Sequence, residues 1–598
     1  MTSLDPITLE ILWNGLRSTT DECFLTIQRS AFSTNIKERH DHSVAIVDRR
    51  GRLVVQAENA LPIHLASMSG LVEMLKSRFA GDIRPGDIFV ANDPHVAGGT
   101  HLSDINLAAP VFVEGKLVAF VCNIAHHADV GGAARGSMSG GLTEIYQEGL
   151  RIPVVRLYRA GELVTDIFDL LLLNMRLPTE RKGDLNAQIA ACRLGTERLH
   201  DLYHRYGLAK MERAFDEIIE RSRTRMRAAI AALPDGEWSS ADMMDDDGTG
   251  QSDVIIALTV RKSGTEAVFD FTGSAGQVAG NINLTLNAVR SSVCYALKAL
   301  LDPSMPNNEG VVQAFEIVAP QGTIVNCVAP AAVALRANTC QRVIDVVLGA
   351  LANVLPERAI GCANGANTSM VFAGTDPSTG QPYVYLETLG GGMGARNDRD
   401  GKDGVQVHIT NTSNLPVEAI EMEYPLRVEE YALVADSGGA GTYRGGLGLR
   451  RVVRPVGHTC EFSGVGERFR HAPGGIFGGE PGRPGRFQLH RADGGVEPLP
   501  AKLTGMKLAP ETAVSVETPG AGGYGPPQGR SPAAIAEDVS AGKYSAAFIA
   551  RRYQDSAGSR QGNDLQKPRA RSGMGQPHEA SRERGGSVRP ADAPKRNR

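Results

Sequence analysis

At Pro234-Asp235-Gly236 the chain changes its period, and that change constrains the fold more than any other feature of the sequence. Upstream, residues 184–233 carry mainly helical signals, rich in Arg, Glu, Ala and Leu and broken near Tyr206-Gly207. Downstream come segments such as 254–260 and 267–271, whose two-residue alternation belongs to half-buried strands. A chain holding both periods in bulk is expected to be α+β, a large multi-layered body of mixed sheets and helices. Glycine at 68 positions and proline at 32 of 598 add many turns and close backbone approaches, and the stretch 390–525 is Gly-rich and strand-rich. The expected organisation is an N-terminal α+β region over 1–235, a second, strand-rich region over 236–555, and a tail over 556–598.

The N-terminal region reads in more detail. Asp5-Pro6 predicts a helix start, Asp as N-cap and Pro at the first helical position, with Ile7, Ile11, Leu12 and Leu16 on one face as far as about Ser30. Residues 43–47 and 53–56 flank Asp48-Arg49-Arg50-Gly51 as a hairpin. Helical period returns over 64–79, a strand over 86–90 runs into Asn92-Asp93-Pro94, and a second hairpin, 107–113 with 117–124, turns at Glu114-Gly115-Lys116. Two later helices are expected at about 288–301 and 342–354.

A formal net charge of −4 creates no field that would draw in nucleic acid or a membrane surface. The eight cysteines are dispersed with no C-x-x-C spacing, which suits buried thiols of a reducing compartment, and Cys122 and Cys340 read as core thiols. The start Met1-Thr2-Ser3-Leu4-Asp5 lacks a secretory pattern and no apolar run approaches the roughly 18–20 residues of a membrane span, so a cytoplasmic protein is expected. Residues 556–598 hold ten Lys/Arg against four Asp/Glu with few large aliphatics, a composition expected to be disordered.

Chemistry concentrates early. Seven of the fourteen histidines lie between positions 40 and 127, in three groups that also carry carboxylates: Arg39-His40-Asp41-His42, Gly99-Thr100-His101-Leu102-Ser103-Asp104 and His126-His127-Ala128-Asp129. Imidazole mixed with carboxylate is the donor set of Zn, Mn or Fe as divalent ions. On a regular strand His101 and Asp104 would point to opposite faces, so Gly98-Gly99 is expected to begin a turn that aims both at one point. His126 ends an apolar strand able to hold a ligand rigidly, and Asp41 precedes a strand that can join the same sheet edge. Glu144 and Glu148 are candidates for acid or base work, or equally for capping. The loop Gly390-Gly391-Gly392-Met393-Gly394 can cradle a phosphate, but tight backbone packing is the better reading because no P-loop sequence is present.

Asn35-Ile36-Lys37-Glu38-Arg39-His40-Asp41-His42, Pro62-Ile63-His64-Leu65, Asn92-Asp93-Pro94, the three His/Asp groups, Glu148-Gly149-Leu150-Arg151-Ile152-Pro153, Glu423-Tyr424-Pro425-Leu426-Arg427 and Tyr443-Arg444-Gly445-Gly446 together resemble the hydantoinase B/oxoprolinase family. The chain departs from the family pattern at Ser103, where Pro is usual, and at Ala134-Arg135, where Thr-Pro is usual. The resemblance implies a metal held by Asp41, His101, Asp104 and His126. It also implies a partner, a hydantoinase A-type subunit that uses ATP and Mg to phosphorylate the substrate, in a hetero-oligomer. The implied activity is hydrolytic opening of a cyclic amide such as hydantoin, 5-oxoproline or a lactam, with His127, Asp129 or Glu148 carrying protons. A carboxylase subunit acting on an enolate at the same metal, and a scaffold with a structural metal, are the alternatives.

Overall fold

The first helix, α1 (Pro6–Ser30), begins as its sequence dictates: the Asp5 carboxylate accepts from Thr8 N–H at 2.9 Å and Pro6 fills a position that needs no donor. Its buried stripe is Leu9, Leu12, Leu16, Cys23 and Ile27, whereas Ile7 and Ile11 face solvent. The stripe is thus turned from the one expected, because Leu9 and Leu16 seat between later helices and carry Leu12 with them. The computed structural model describes residues 4–553; the basic segment 556–598, expected to be disordered, lies outside the described residues.

A seven-stranded antiparallel sheet is the platform of the N-terminal region. Its strands are β1 (His42–Asp48), β2 (Leu53–Gln56), β3 (Ile88–Ala91), β4 (Asp104–Val113), β5 (Lys116–His126), β6 (Val155–Arg159) and β7 (Glu162–Leu163), in the order β2-β1-β5-β4-β3-β6-β7. Short helices α2 (Thr34–Lys37) and α4 (Ile145–Glu148) lie in its connections, with α3 (Leu65–Arg78) and α5 (Thr165–Leu173) between strands and after them. The long helices α6 (Pro178–Tyr206) and α7 (Leu208–Ala231) follow, parted at Gly207, whose φ of +79° ends the first. α1 and α6 cover one face of the sheet, where Ile46, Val111 and Val121 meet Leu12, Leu16 and Leu199. α3 covers the other, where Ala45, Val47, Phe120 and Cys122 meet Met68 and Leu71. Covered on both faces, β1 is buried at every residue, which is why its centre, Val44-Ala45-Ile46-Val47, is continuously apolar rather than alternating.

The α3 side of that sheet opens into a core that crosses position 235. Strands β8 (Gly236–Asp246), β9 (Ser252–Ser263), β10 (Glu266–Asp270) and β11 (Glu316–Val318) form a second sheet. Helices α8 (Leu286–Leu301), α9 (Glu309–Val312) and α10 (Arg336–Leu351) pack with it, and Ile256, Leu258, Val293 and Val347 share one cluster with Leu71 and Phe120. α10 starts six residues before its expected position, since Arg336, Asn338 and Thr339 find buried partners that a solvated helix end would not offer.

Two further antiparallel sheets complete the C-terminal half: Pro382–Thr388, Ser369–Thr375, Cys460–Val465 and Lys502–Leu508 in one, and Leu426–Leu433, Leu449–Pro455, Ala513–Glu517, Arg486–His490 and Val496–Leu499 in the other. Phe372, Tyr385, Phe462, Val453 and Phe487 fill the space between them. Beside this sandwich the Gly-rich loops stack backbone on backbone. A Cβ on Gly394 would stand 1.7 Å from the Gly361 carbonyl oxygen, and one on Gly446 would stand 1.9 Å from that of Lys402. Close packing, not a phosphate cradle, accounts for these glycines.

Candidate metal centre

The hairpin β4–β5 sets the centre. Asp104, first residue of β4, lies opposite His126, last residue of β5, so one register pairs a carboxylate with an imidazole at the sheet end. His101 belongs to the turn before β4, and its Nε2 stands 3.1 Å from Asp104 Oδ1. The His101 and His126 rings lie 4.9 Å apart, and ligand atoms of His101, Asp104 and His126 all fall within 4.8 Å of one another. Asp41 enters from the neighbouring strand. His40 takes a φ of +58°, uncommon for a residue with a Cβ, and the kink delivers Asp41 just ahead of β1. The Asp41 carbonyl accepts from His126 N–H at 2.9 Å, and its side chain lines, with His64, His126 and Arg336, a cavity of about 30 Å³.

Neighbours hold these groups in place. His101 Nδ1 is 3.2 Å from the Ala334 carbonyl, which can only accept, so the proton sits on Nδ1 and the Nε2 lone pair faces Asp104. Asn35 on α2 lies 3.0 Å from His126 Nδ1 and donates to the His126 carbonyl at 2.7 Å, while its own oxygen accepts from Arg39. Arg336 binds Asp104 Oδ2 and donates to Thr100 at 2.7 Å.

Burial and charge then set the protonation states. Burial holds His101 down to about 4 and His126 well below the ordinary imidazole value, so both rings are neutral near pH 7. For Asp104 burial pushes upward, but His101, Arg336 and His64 beside it outweigh that and keep the carboxylate ionised. Asp41 is pushed up by burial, with Arg39 opposing. Neutral imidazoles with an ionised carboxylate are the protonation states a divalent cation requires.

His64 belongs to a motif of the family pattern but not to the expected ligand set, and the structure brings it in: its Nε2 is 3.7 Å from Asp104 Oδ1. With the His101 proton on Nδ1, the buried His101 Nε2 and Asp104 Oδ1 face each other as two acceptors, His64 Nε2 is buried beside them, and among the described residues no donor satisfies any of the three. Three such atoms at one point fit a cation that takes their lone pairs, since each would otherwise bear an uncompensated desolvation cost. The only local hint for His64 is its place at a helix start. Arg336 carries none, being more than 200 residues from its partners.

The three expected proton carriers do not line the cavity. Asp129 spends both oxygens on a loop, accepting from Gly131 N–H at 2.7 Å and Gly136 N–H at 2.8 Å and pairing with Arg176 at 3.1 Å. His127 Nε2 is bound to Gln188 Oε1 on α6 at 3.0 Å. Glu148 Oε1 accepts from Val333 and Ala334 N–H at 2.7 and 2.6 Å, bracing the segment whose Ala334 carbonyl orients His101. Burial raises the Glu148 carboxyl to about 8, with those two N–H groups opposing. Glu144 is exposed at the start of α4. A second acidic grouping, Asp242, Asp345 and Cys362, is already neutralised by Arg342 and Arg468 and leaves no demand for a cation. All eight cysteines are free, and Cys122 and Cys340 are buried.

The chain is 31% identical over 552 residues to the B-type subunit of a putative D-/L-hydantoinase from a Pseudomonas species, covering 90% of this chain and 92% of that one. Its fold matches the crystal structure of the ATP-dependent caprolactamase from Pseudomonas jessenii with a TM-score of 0.87 at 30% identity, over 92% of this chain and 96% of that one. An acetone carboxylase structure shares the fold at a TM-score of 0.85 and 19% identity, over 92% of this chain and 79% of that one. Residues 5–527 match the family model described as hydantoinase B/oxoprolinase, and the chain belongs to that family.

Proposed function

We propose that this chain is the B-type component of an ATP-dependent ring-amide hydrolase and that the cluster at the end of β4 and β5 is its metal centre. The observation that carries the reading is the convergence of unpartnered buried His101 Nε2 and Asp104 Oδ1 with His126 at one sheet end. Asp41, His101, Asp104 and His126 would hold one divalent Zn, Mn or Fe ion, a mixed set that suits all three. When bound, such an ion supplies positive charge to a developing oxyanion and acidifies water toward about pKa 7.

The chain's own residues do the rest. Ala334 and Asn35 keep the two imidazoles in place, and Arg336 holds Asp104. His64 Nε2, beside Asp104 and lining the cavity, is placed to join the ligand set, whereas His127, Asp129 and Glu148 are engaged elsewhere. Amide carbonyls are poor electrophiles, so activation by phosphate on an ATP-using A-type partner supplies what this site lacks. The hydantoinase relative, named as one component of a larger enzyme, and the likeness to the ATP-dependent caprolactamase support both the partner and the ring-amide class. No helix among the described residues is long and apolar enough to cross a membrane.

The test is metal content of the purified chain beside Asp41→Ala, His101→Ala and His126→Ala. About one tightly held divalent ion per wild-type chain, lost in all three variants, supports the centre. Metal that survives all three changes overturns it. With the partner present, His101→Ala should stop ring opening while ATP cleavage continues.

A further inference from the structure

The cavity at the metal cluster, about 30 Å³, admits a water or an ion but not a ring. A second cavity of about 380 Å³ adjoins it: Thr410 lines both, and the segment from Ala60 to Leu65 turns Ala60, Pro62 and Leu65 to the larger and Leu61, Ile63 and His64 to the smaller. That volume lies within the roughly 300–1,000 Å³ of small-molecule sites. Its walls are polar, with Tyr295 and Lys298 of α8, Asn307, Gln406 and His408.

Lys298 is the unusual member. Other buried lysines of the chain are ion-paired: Lys262 with Asp235 at 2.7 Å and Lys502 with Glu467 at 3.1 Å. Lys298, half-buried, donates to the neutral amide oxygen of Asn307, and no ion pair engages it among the described residues. Asp302, which acts on it at longer range, is bound to Arg225, and Glu58 at the same cavity is bound to Arg17 at 2.8 Å. Burial lowers the ammonium to about 8, so it stays mostly charged at neutral pH. An ammonium facing a polar cavity with spare N–H groups and no counter-ion is matched by an anion on the ligand.

We propose that this cavity is the substrate chamber and that Lys298 selects ring amides bearing a carboxylate, holding that carboxylate while the amide carbonyl faces the metal cluster across Thr410. The inference rests on the ring-amide reading above.

Its test is equilibrium binding of two five-membered lactams, 5-oxoproline and 2-pyrrolidinone, which differ by the carboxylate. The metal-loaded full chain should prefer 5-oxoproline by about 10–100-fold, the worth of one charge-assisted contact. Lys298→Met should abolish the preference with 2-pyrrolidinone binding unchanged, and Lys298→Arg should keep most of it. Equal affinity of the wild type for both lactams, no binding of either, or an undiminished preference in Lys298→Met overturns the inference. Metal content and the melting curve of each sample separate this outcome from the reading beneath it: a metal-free wild type refutes the centre, whereas a metal-loaded chain indifferent to the carboxylate refutes only the role of Lys298.

Discussion

Glu148→Gln isolates one buried proton. The Gln amide oxygen can still accept from Val333 and Ala334, so the brace on His101 survives while the titration is removed. In the folded chain burial raises the Glu148 carboxyl from 4.5 to about 8. Between those values the folded state keeps a proton that the unfolded state releases, so stability falls as pH rises through that window and levels off above it. Each pH unit is worth about 1.36 kcal/mol, so from pH 5 to pH 7 the wild type should lose roughly 2.7 kcal/mol that the Gln variant does not. Urea unfolding of both proteins at pH 5, 6, 7 and 8 measures this difference, and an infrared carboxyl band that titrates near pH 8 and is missing from the variant identifies the group. If the two stability curves stay parallel within about 0.5 kcal/mol over pH 5–7, Glu148 is ionised in the folded chain and the argument from its burial is wrong.

Other changes test other links. Arg336→Met removes the guanidinium from Asp104 and should weaken metal binding by about 10–100-fold in a chelator competition, the usual effect of losing a group that orients a ligand; unchanged affinity would refute that role. Gly394→Ala places a methyl 1.7 Å from the Gly361 carbonyl, so the loop stack must open, and a melting temperature equal to that of the wild type would contradict the packing described. Asp5→Ala removes the cap of α1 and should cost about 1 kcal/mol in denaturant unfolding. Asp5→Asn should restore most of it.

What the sequence makes legible is local. The capped start of α1, the hairpin of β1 and β2, and the division of α6 from α7 at Gly207 follow from residues within a few positions of one another. The turn that aims His101 at Asp104 is likewise readable from spacing. The orientation of α1 is not, because Ile7, Ile11 and Leu12 offer two apolar ridges and only packing on α6 and α7 decides which is buried. Nor does the sequence distinguish Glu148 as an acid, a base or a brace, since that depends on Val333 and Ala334, 185 and 186 residues away. Lys298 carries no local signal because what sets it apart is the lack of an ion pair among the described residues, which no spacing records.

On the proposed reading, Ala334 and Arg336 close a metal centre whose other members lie before position 127, and metal competence would then be a late event in the making of the chain. A nascent polypeptide ending at 235 would carry Asp41, His64, His101, Asp104 and His126 yet lack both the carbonyl that sets the His101 tautomer and the cation that steadies Asp104. During synthesis those early ligands must wait for roughly 200 more residues to emerge, about 10–40 s at ordinary elongation rates. Their binding strength should therefore rise in a step once α10 docks. Metal uptake would then report completed assembly, and partly made chains would be poor competitors for the cell's divalent ions.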